Sequence, residues 1–267
     1  MKLRIIILLV SFGFIICING CGLMGKKYLK SKTEQHQIST LDKKKIKISN
    51  ITGNIVLSQS KDTGMVTIKA SKEIKVKKKY LDTPFDEITI DIDTLSSIIE
   101  VKAVISRNDD GVFKFNNNRN IRIDYEIYIP SNIDIEVENV HGNITSGGLN
   151  NDINIDLVNG DVDLENYTGR IDCEITNGSF SGKIDSTKGI ELNTINGNVT
   201  LILSNYMNVN LRAETVNGRI SNDNLDFRLV DKEKNLFKGK LGNSDMKTDI
   251  KIETVNGKIK LLGRNEI

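Results

Sequence analysis

An Asn-Gly pair returns in one register along the second half of the chain, and this repeat limits the folds open to it. The copies are Asn159-Gly160, Asn177-Gly178, Asn196-Gly197, Asn217-Gly218 and Asn256-Gly257, with His141-Gly142 at the start of the series. Weaker turns at Thr168-Gly169 and Lys188-Gly189 fall halfway between corners. A fixed period of this kind predicts an array of small structural units. Here the unit is one short strand and one turn.

Two topologies fit the repeat. Aliphatic residues alternate with polar ones between the corners, which is typical of half-buried strands. In a solenoid, each coil stacks on the previous one, and Asn159, Asn177, Asn196 and Asn217 form a ladder. Asn-Gly is also a strong hairpin signal, but a hairpin here would set Asp156 opposite Asp163, and like charges in that position destabilise a sheet. We therefore predict an all-β, β-helix-like solenoid with Asn-Gly corners. An antiparallel hairpin meander or sandwich is the alternative.

The N-terminus carries an export signal. Lys2 and Arg4 precede an apolar run, as in a secretory leader, and the run ends in Ile18-Asn19-Gly20-Cys21. That ending resembles a bacterial lipobox, which implies a signal peptide over residues 1–20 and acylation of Cys21. The apolar run is shorter than a membrane-spanning helix requires. Residues 21–40 are basic and without period, so we expect them to form a tether.

The body divides into an irregular part, 41–138, and regular repeats, 139–262, followed by a tail, 263–267. Thr52-Gly53-Asn54 is a degenerate early copy of the corner. We interpret the lysine-rich stretch 72–79 as an exposed edge strand, because lysine on an edge blocks pairing with foreign strands. The polar stretches 107–120 and 223–243 are expected to be loops, the second an insertion that accounts for the longest spacing between corners.

The repeated corner, its following aliphatic residue and the preceding strand Tyr125-Glu126-Ile127-Tyr128-Ile129-Pro130 resemble a known family. It is the bacterial β-strand-repeat family of unknown function that is labelled putative adhesin, and the resemblance spans about residues 40–262. It implies a β-solenoid on an envelope protein. The family has no established catalytic residues, so none is transferred to this chain.

Few residues suggest chemistry. The chain has two histidines and no tryptophan, and it shows no catalytic triad order, phosphate loop or zinc spacing. Cys173 lies on the apolar face of an alternating strand, where a buried thiol packs as a small apolar group. Carboxylates such as Asp161 and Asp163 alternate with apolar residues and could line up for calcium or a glycosidase pair. We interpret them as the solvent face of a half-buried sheet and predict no catalytic residue, metal or cofactor.

The leading functional prediction is therefore a non-enzymatic, adhesin-like module on a cell-envelope lipoprotein, anchored outside the cytoplasmic membrane by its lipid. Its expected partner is an envelope protein or wall polymer. Nucleic acid is excluded by the secretory address and by the scarcity of aromatic residues for base stacking. The alternatives are envelope-stress sensing or signalling, and an enzyme acting on wall polysaccharide. The corner residues are predicted to be structural, and the binding surface is expected on strand faces or in stretches 107–120 and 223–243.

Overall fold

Twenty β-strands and no helix make up the part of the chain described by the computed structural model, which covers residues 12–17, 27–77, 88–105, 120–242 and 248–264. In chain order the strands are β1 Phe12–Cys17, β2 Lys27–Ser39, β3 Lys45–Thr52, β4 Ile55–Gln59, β5 Met65–Lys77, β6 Ile88–Asp93, β7 Ile98–Ile105, β8 Asn120–Ile129, β9 Asp134–His141, β10 Ile144–Gly147, β11 Ile153–Asn159, β12 Val162–Asn177, β13 Phe180–Asn196, β14 Val199–Ser204, β15 Val209–Asn217, β16 Ile220–Asp223, β17 Arg228–Lys232, β18 Leu236–Leu241, β19 Asp249–Asn256 and β20 Ile259–Arg264.

The strands form two faces of one curled sheet. The first face has the order β1-β2-β5-β8-β4-β10-β12-β13-β14-β20-β16. The second has the order β6-β7-β3-β9-β11-β12-β13-β19-β15-β18-β17. The long strands β12 and β13 belong to both faces and bend near the predicted half-way turns, where their pairing shifts register. Pairing is parallel through the middle of both faces. It is antiparallel at both ends of the second face and at the β1 end of the first face, whereas the first face ends in the parallel pair β20–β16.

This topology confirms the solenoid prediction over the hairpin alternative. Asn159 pairs with Asn177 and Asn177 with Asn196, one coil apart. The coil order departs from the sequence at one place, because Asn256 pairs with both Asn196 and Asn217. The last coil, β19–β20, therefore lies between the β13–β14 coil and the β15–β16 coil. The early coil β3–β4 is inserted in the same way, between β7–β8 and β9–β10.

The core lies between the two faces and consists of rows of apolar side chains, most of them aliphatic. One row runs through seven neighbouring strands of the first face and contains Tyr125, Ile55, Ile144, Val162, Phe180, Val199 and Ile259, each at most 2% exposed. Burying a large aliphatic side chain contributes about 1.5–3 kcal/mol. Because every coil adds equivalent side chains to the rows, the sequence period becomes a continuous core.

The tether prediction is wrong where it can be compared. Residues 27–39 of the expected tether form β2, which pairs antiparallel with β5 along its whole length. Inward and outward residues alternate along β2, but the inward positions include Glu34 and His36, which are polar and buried. The alternation is therefore not visible as a hydrophobic pattern. The folded unit thus includes residues before position 41. Residues 18–26, with the predicted lipidation site Cys21, lie outside the described residues.

The lysine-rich stretch is also not an edge strand. Residues 72–77 belong to β5, which has neighbours on both sides. Lys72 is 3% exposed, pairs with Glu34 and donates a 2.7 Å hydrogen bond to the carbonyl oxygen of Ile88. A charged side chain tolerates such burial when it is paired and hydrogen-bonded.

Two further boundaries change. The stretch 223–243, expected to be a loop, contains the β17–β18 hairpin, and β18 caps the solenoid by pairing antiparallel with β15. β20 continues to Arg264, inside the predicted tail, where Arg264 forms an ion pair with Asp185. The expected loop at 107–120 falls outside the described residues except for Asn120, the first residue of β8.

Candidate functional site

The corner glycines are required by the close approach of neighbouring coils. A Cβ atom on Gly178 would lie 1.7 Å from the carbonyl oxygen of Gly160, and one on Gly160 would lie 2.2 Å from that of Gly142. The same contact links all seven corners in spatial order, from Gly218 through Gly257 and Gly197 to Gly53. Gly53, Gly142, Gly160 and Gly178 also have positive φ. The close approach and the backbone conformation therefore give the corner glycines a structural role.

The asparagines act through their side chains rather than through an unusual backbone conformation. None of the corner asparagines has positive φ. Instead, each side-chain amide donates to the amide oxygen on the next coil, with N···O distances of 2.8–3.1 Å from Asn217 through Asn256, Asn196 and Asn177 to Asn159. The ladder is thus longer than predicted, because Asn256 belongs inside it.

A second ladder follows each corner. The side-chain oxygen of Asn143 accepts a hydrogen bond from the backbone N–H of Asp161, and the Asp161 carboxylate accepts one from that of Ser179. Asn54 and Asn198 act in the same way on Asn143 and Lys258. These bonds satisfy corner N–H groups that the strand ladders leave free, so Asp161 has a structural role.

An exposed aliphatic stripe runs beside the asparagine ladder. In spatial order its positions are Ile51, Val140, Val158, Thr176, Ile195, Val255 and Val216, each directly before the Asn of a corner or its equivalent. Its six aliphatic members are 36–68% exposed. Strands lie about 4.8 Å apart, so the stripe is about 29 Å long.

A row of carboxylates flanks the stripe, two residues earlier on each strand. The row reads Ser49, Glu138, Asp156, Glu174, Asn193, Glu253 and Glu214 across successive coils. Glu138, Glu253 and Glu214 form ion pairs with Lys47, Lys251 and Arg212.

The two carboxylates at the middle of the row differ from their neighbours. Among the described residues, Asp156 and Glu174 form no ion pair, although Asp156 lies between Glu138 and Glu174. Burial and these neighbouring carboxylates raise the pKa of Asp156. The centre of the row is therefore an electrostatically unsatisfied negative site.

The stripe and the carboxylate row together line a groove of about 1260 Å³. Lys102 and Ala103 of β7 close one end, and Glu233, Asn235 and Leu236 of the β17–β18 hairpin close the other. None of the described residues lining it is aromatic. The groove is thus apolar along one side and acidic along the other.

The remaining candidates from the sequence lie elsewhere. Cys173 is 1% exposed, and burial raises the pKa of its thiol, which agrees with its predicted place in the core. His141 is exposed at a corner, whereas His36 is buried on β2. In the described segments, no group of three or more His, Cys, Asp or Glu side chains is arranged to hold a metal ion. No helix among the same residues has the length and hydropathy to span a membrane.

The stripe and its acidic flank escaped the sequence analysis, although a signal was present. The residues before the corners read Asp156-Leu157-Val158, Glu174-Ile175-Thr176, Glu214-Thr215-Val216 and Glu253-Thr254-Val255. The middle residue points into the core in each case, so the residue after it, which is valine in three of the four copies, must point outward. An aliphatic residue repeated at an outward position is the signal that the analysis missed.

The architecture defines the class as a parallel β-solenoid, and comparison with known families refines this. Residues 144–262 match the model of the family described as Toastrack DUF4097. This confirms the predicted resemblance to an adhesin-labelled β-repeat family of unknown function. A comparison with curated proteins finds no match.

Several solved structures are similar to this chain. A putative cell adhesion protein from Clostridium sporogenes is 15% identical, with 88% of this chain and 100% of that chain covered and a TM-score of 0.48. A putative adhesin from Bacteroides fragilis is 11% identical, with 86% and 97% covered and a TM-score of 0.28. A putative lipid binding protein from Parabacteroides distasonis is 9% identical, with 88% and 95% covered and a TM-score of 0.31.

Proposed function

We propose that the protein is an exported, lipid-anchored envelope protein whose solenoid is a non-enzymatic binding module. The observation that carries the proposal is the groove at the corners. Outward positions of a sheet are normally polar, and the corresponding outward column on the first face is Val56, Thr145, Asp163, Ser181, Thr200, Lys260 and Ser221, with one aliphatic member. An exposed stripe with six aliphatic side chains in seven positions is typical of a binding surface.

The predicted export and lipidation signal at the N-terminus supports the same proposal. The leader and the Cys21 motif imply acylation on the outer side of the cytoplasmic membrane. In that position the solenoid faces envelope proteins and wall polymer. A Cys21→Ala variant should lose incorporation of radiolabelled fatty acid, while a Cys17→Ala variant should keep it. Continued labelling of Cys21→Ala would refute this anchor.

The carboxylate row also bears on the enzyme alternative. Adjacent coils place Asp156 beside Glu174 at the spacing of a strand ladder, about 4.8 Å, which approaches the separation used by retaining glycosidases. However, both side chains are exposed, and the groove presents no aromatic platform for a sugar ring. Binding by the stripe therefore accounts for more of the geometry than hydrolysis does.

The binding proposal is tested with intact envelopes and the full-length chain. The variant Val158→Thr/Ile195→Thr/Val255→Thr makes the stripe polar at three positions. Thr176 already occupies the stripe, so the fold accommodates threonine there. We expect wild type to co-sediment with envelopes and the triple variant to lose most of this binding. Equal co-sedimentation of the two, with matching unfolding curves, would refute a role for the groove.

A further inference from the structure

The groove has a period that discriminates between possible occupants. Its aliphatic side chains repeat once per coil, at about 4.8 Å. An extended peptide lying along the solenoid presents side chains on one face every two residues, at about 6.7 Å, and falls out of step within about three coils. An α-helix repeats every 5.4 Å. Over six coil intervals, it drifts by about 3.6 Å, which is less than one coil.

The charges of the groove discriminate further. Within the described part of the chain, its lining contains two lysines, Lys102 and Lys251, against the carboxylates of Glu138, Asp156, Glu174, Glu214, Glu233 and Glu253. The carboxylates form a row along one side of the stripe and are not scattered over the surface. An anionic lipid surface would bring its phosphates against this row, and like charges repel. A cationic edge would instead satisfy Asp156 and Glu174.

We propose that the groove docks an amphipathic α-helix of about 19 residues that carries one apolar stripe and a line of Lys or Arg along one edge. The length follows from the stripe, because about 29 Å corresponds to about 19 residues at 1.5 Å per residue. The apolar stripe of the helix lies on the six aliphatic side chains between Ile51 and Val216. Its basic edge lies on the carboxylate row, and the β17–β18 hairpin limits the helix at one end. The inference rests on the proposed binding function and specifies its partner.

The test uses a synthetic 19-residue peptide with leucines on one helical stripe and lysines along one edge. Two peptides serve as controls: one with glutamates in place of the lysines, and one with two central prolines that prevent a helix. Binding to the full-length chain is measured by fluorescence anisotropy. Far-UV circular dichroism reports the peptide conformation, since the described part of the protein contributes no helical signal. We expect only the basic, proline-free peptide to bind, and to gain helicity as it does so.

Variants then locate the site. Val158→Thr/Ile195→Thr/Val255→Thr should weaken binding of the basic peptide about tenfold or more, because apolar contact area is lost. Asp156→Asn/Glu174→Gln should weaken it about fivefold at low salt and less at high salt.

The matched control is Asp163→Asn/Glu165→Gln. It removes the same charge from exposed positions on the first face and should leave peptide binding unchanged. A comparable loss with this control would refute the groove as the site.

Several outcomes would overturn the inference. They are equal binding of the acidic or proline peptide, binding without gain of helicity, stripe-dependent binding to vesicles of anionic lipid, and stripe-dependent self-association of the protein. The envelope experiment separates the two proposals. If the stripe variant loses envelope binding while the basic peptide fails to bind wild type, the binding function stands and the helical partner is wrong.

Discussion

Replacing Gly178 with alanine tests whether the corners depend on close approach between coils. The new Cβ would lie 1.7 Å from the Gly160 carbonyl oxygen, a contact that real Cβ atoms do not make. The coils must separate by more than about 1 Å, so the backbone hydrogen bonds that join these two coils weaken; they run from the Gly160 N–H to the Asn177 carbonyl oxygen at 3.0 Å and from the Val162 N–H to the Ser179 carbonyl oxygen at 2.9 Å. Their loss costs about 1 kcal/mol each. The φ of +151° adds about 1–3 kcal/mol of backbone strain.

The expected loss of unfolding free energy for Gly178→Ala is about 2.5–4.5 kcal/mol, after a gain of about 0.5 kcal/mol from the less flexible unfolded chain. The matched control is Gly147→Ala on β10, where a Cβ has open space and φ is ordinary. We expect this control to be neutral or slightly stabilising. Urea unfolding followed by far-UV circular dichroism gives both values. A loss below about 1 kcal/mol for Gly178→Ala would refute the close-approach argument.

Three further predictions concern the interior. Lys72→Met should lower the free energy of unfolding by about 3–5 kcal/mol, because it leaves the Glu34 carboxylate buried without its partner. The double variant Glu34→Leu/Lys72→Met should recover most of that loss in urea unfolding. A double variant as unstable as Lys72→Met would contradict the role of the pair. Burial raises the pKa of the Cys173 thiol, so iodoacetamide at pH 8 should label it only in urea, as read by peptide mapping; rapid labelling of folded protein would contradict the buried position. Burial lowers the pKa of His36 below its usual 6.5, and the unfolded state therefore takes up the proton first, so the free energy of unfolding should fall as pH drops below about 6.5. His36→Leu should remove this component, and an unchanged pH profile in that variant would assign the dependence to other groups.

The regular half of the fold could be predicted because its sequence repeats the same short strand and the same corner. The corner glycine, the alternating strand and the neighbouring Asn each recur with a nearly constant spacing. Stacked coils place each of these residues next to its equivalent on the neighbouring coil. The solenoid and the structural role of the corners followed from this. The insertion of β19–β20 before β15–β16 did not, because a period fixes the shape of a coil but not the order in which equivalent coils stack.

The N-terminal part was harder because its inward residues are polar. Lys72, Glu34 and His36 occupy core positions, and a hydrophobicity pattern assigns such residues to the surface. Their burial depends on pairing between β2 and β5, whose partners run from Ser39 with Met65 to Lys27 with Lys77 and so lie far apart in the sequence. Local pattern cannot show a partner at that distance.

The groove was missed because its apolar residues are aliphatic, not because they are polar. Val158 and its equivalents are aliphatic and stand next to buried residues, so they were assigned to the corner and not to a surface. Only the strand geometry shows that Leu157 points inward and Val158 outward.

The inserted coil has a consequence for how the chain assembles. β15–β16 have no parallel neighbour until β19–β20 are made, since their contact with the rest of the solenoid passes through that last coil. If the coils stack in the order of synthesis, stacking stops after β14. The strands from Val209 onward can join the stack only when β19 and β20 have been made. Such non-local closure is slow. The β19–β20 coil joins the β13–β14 coil to the β15–β16 coil. A chain truncated before Asp249 would leave β14, which contains Val199, as an open sheet edge to which other chains could add.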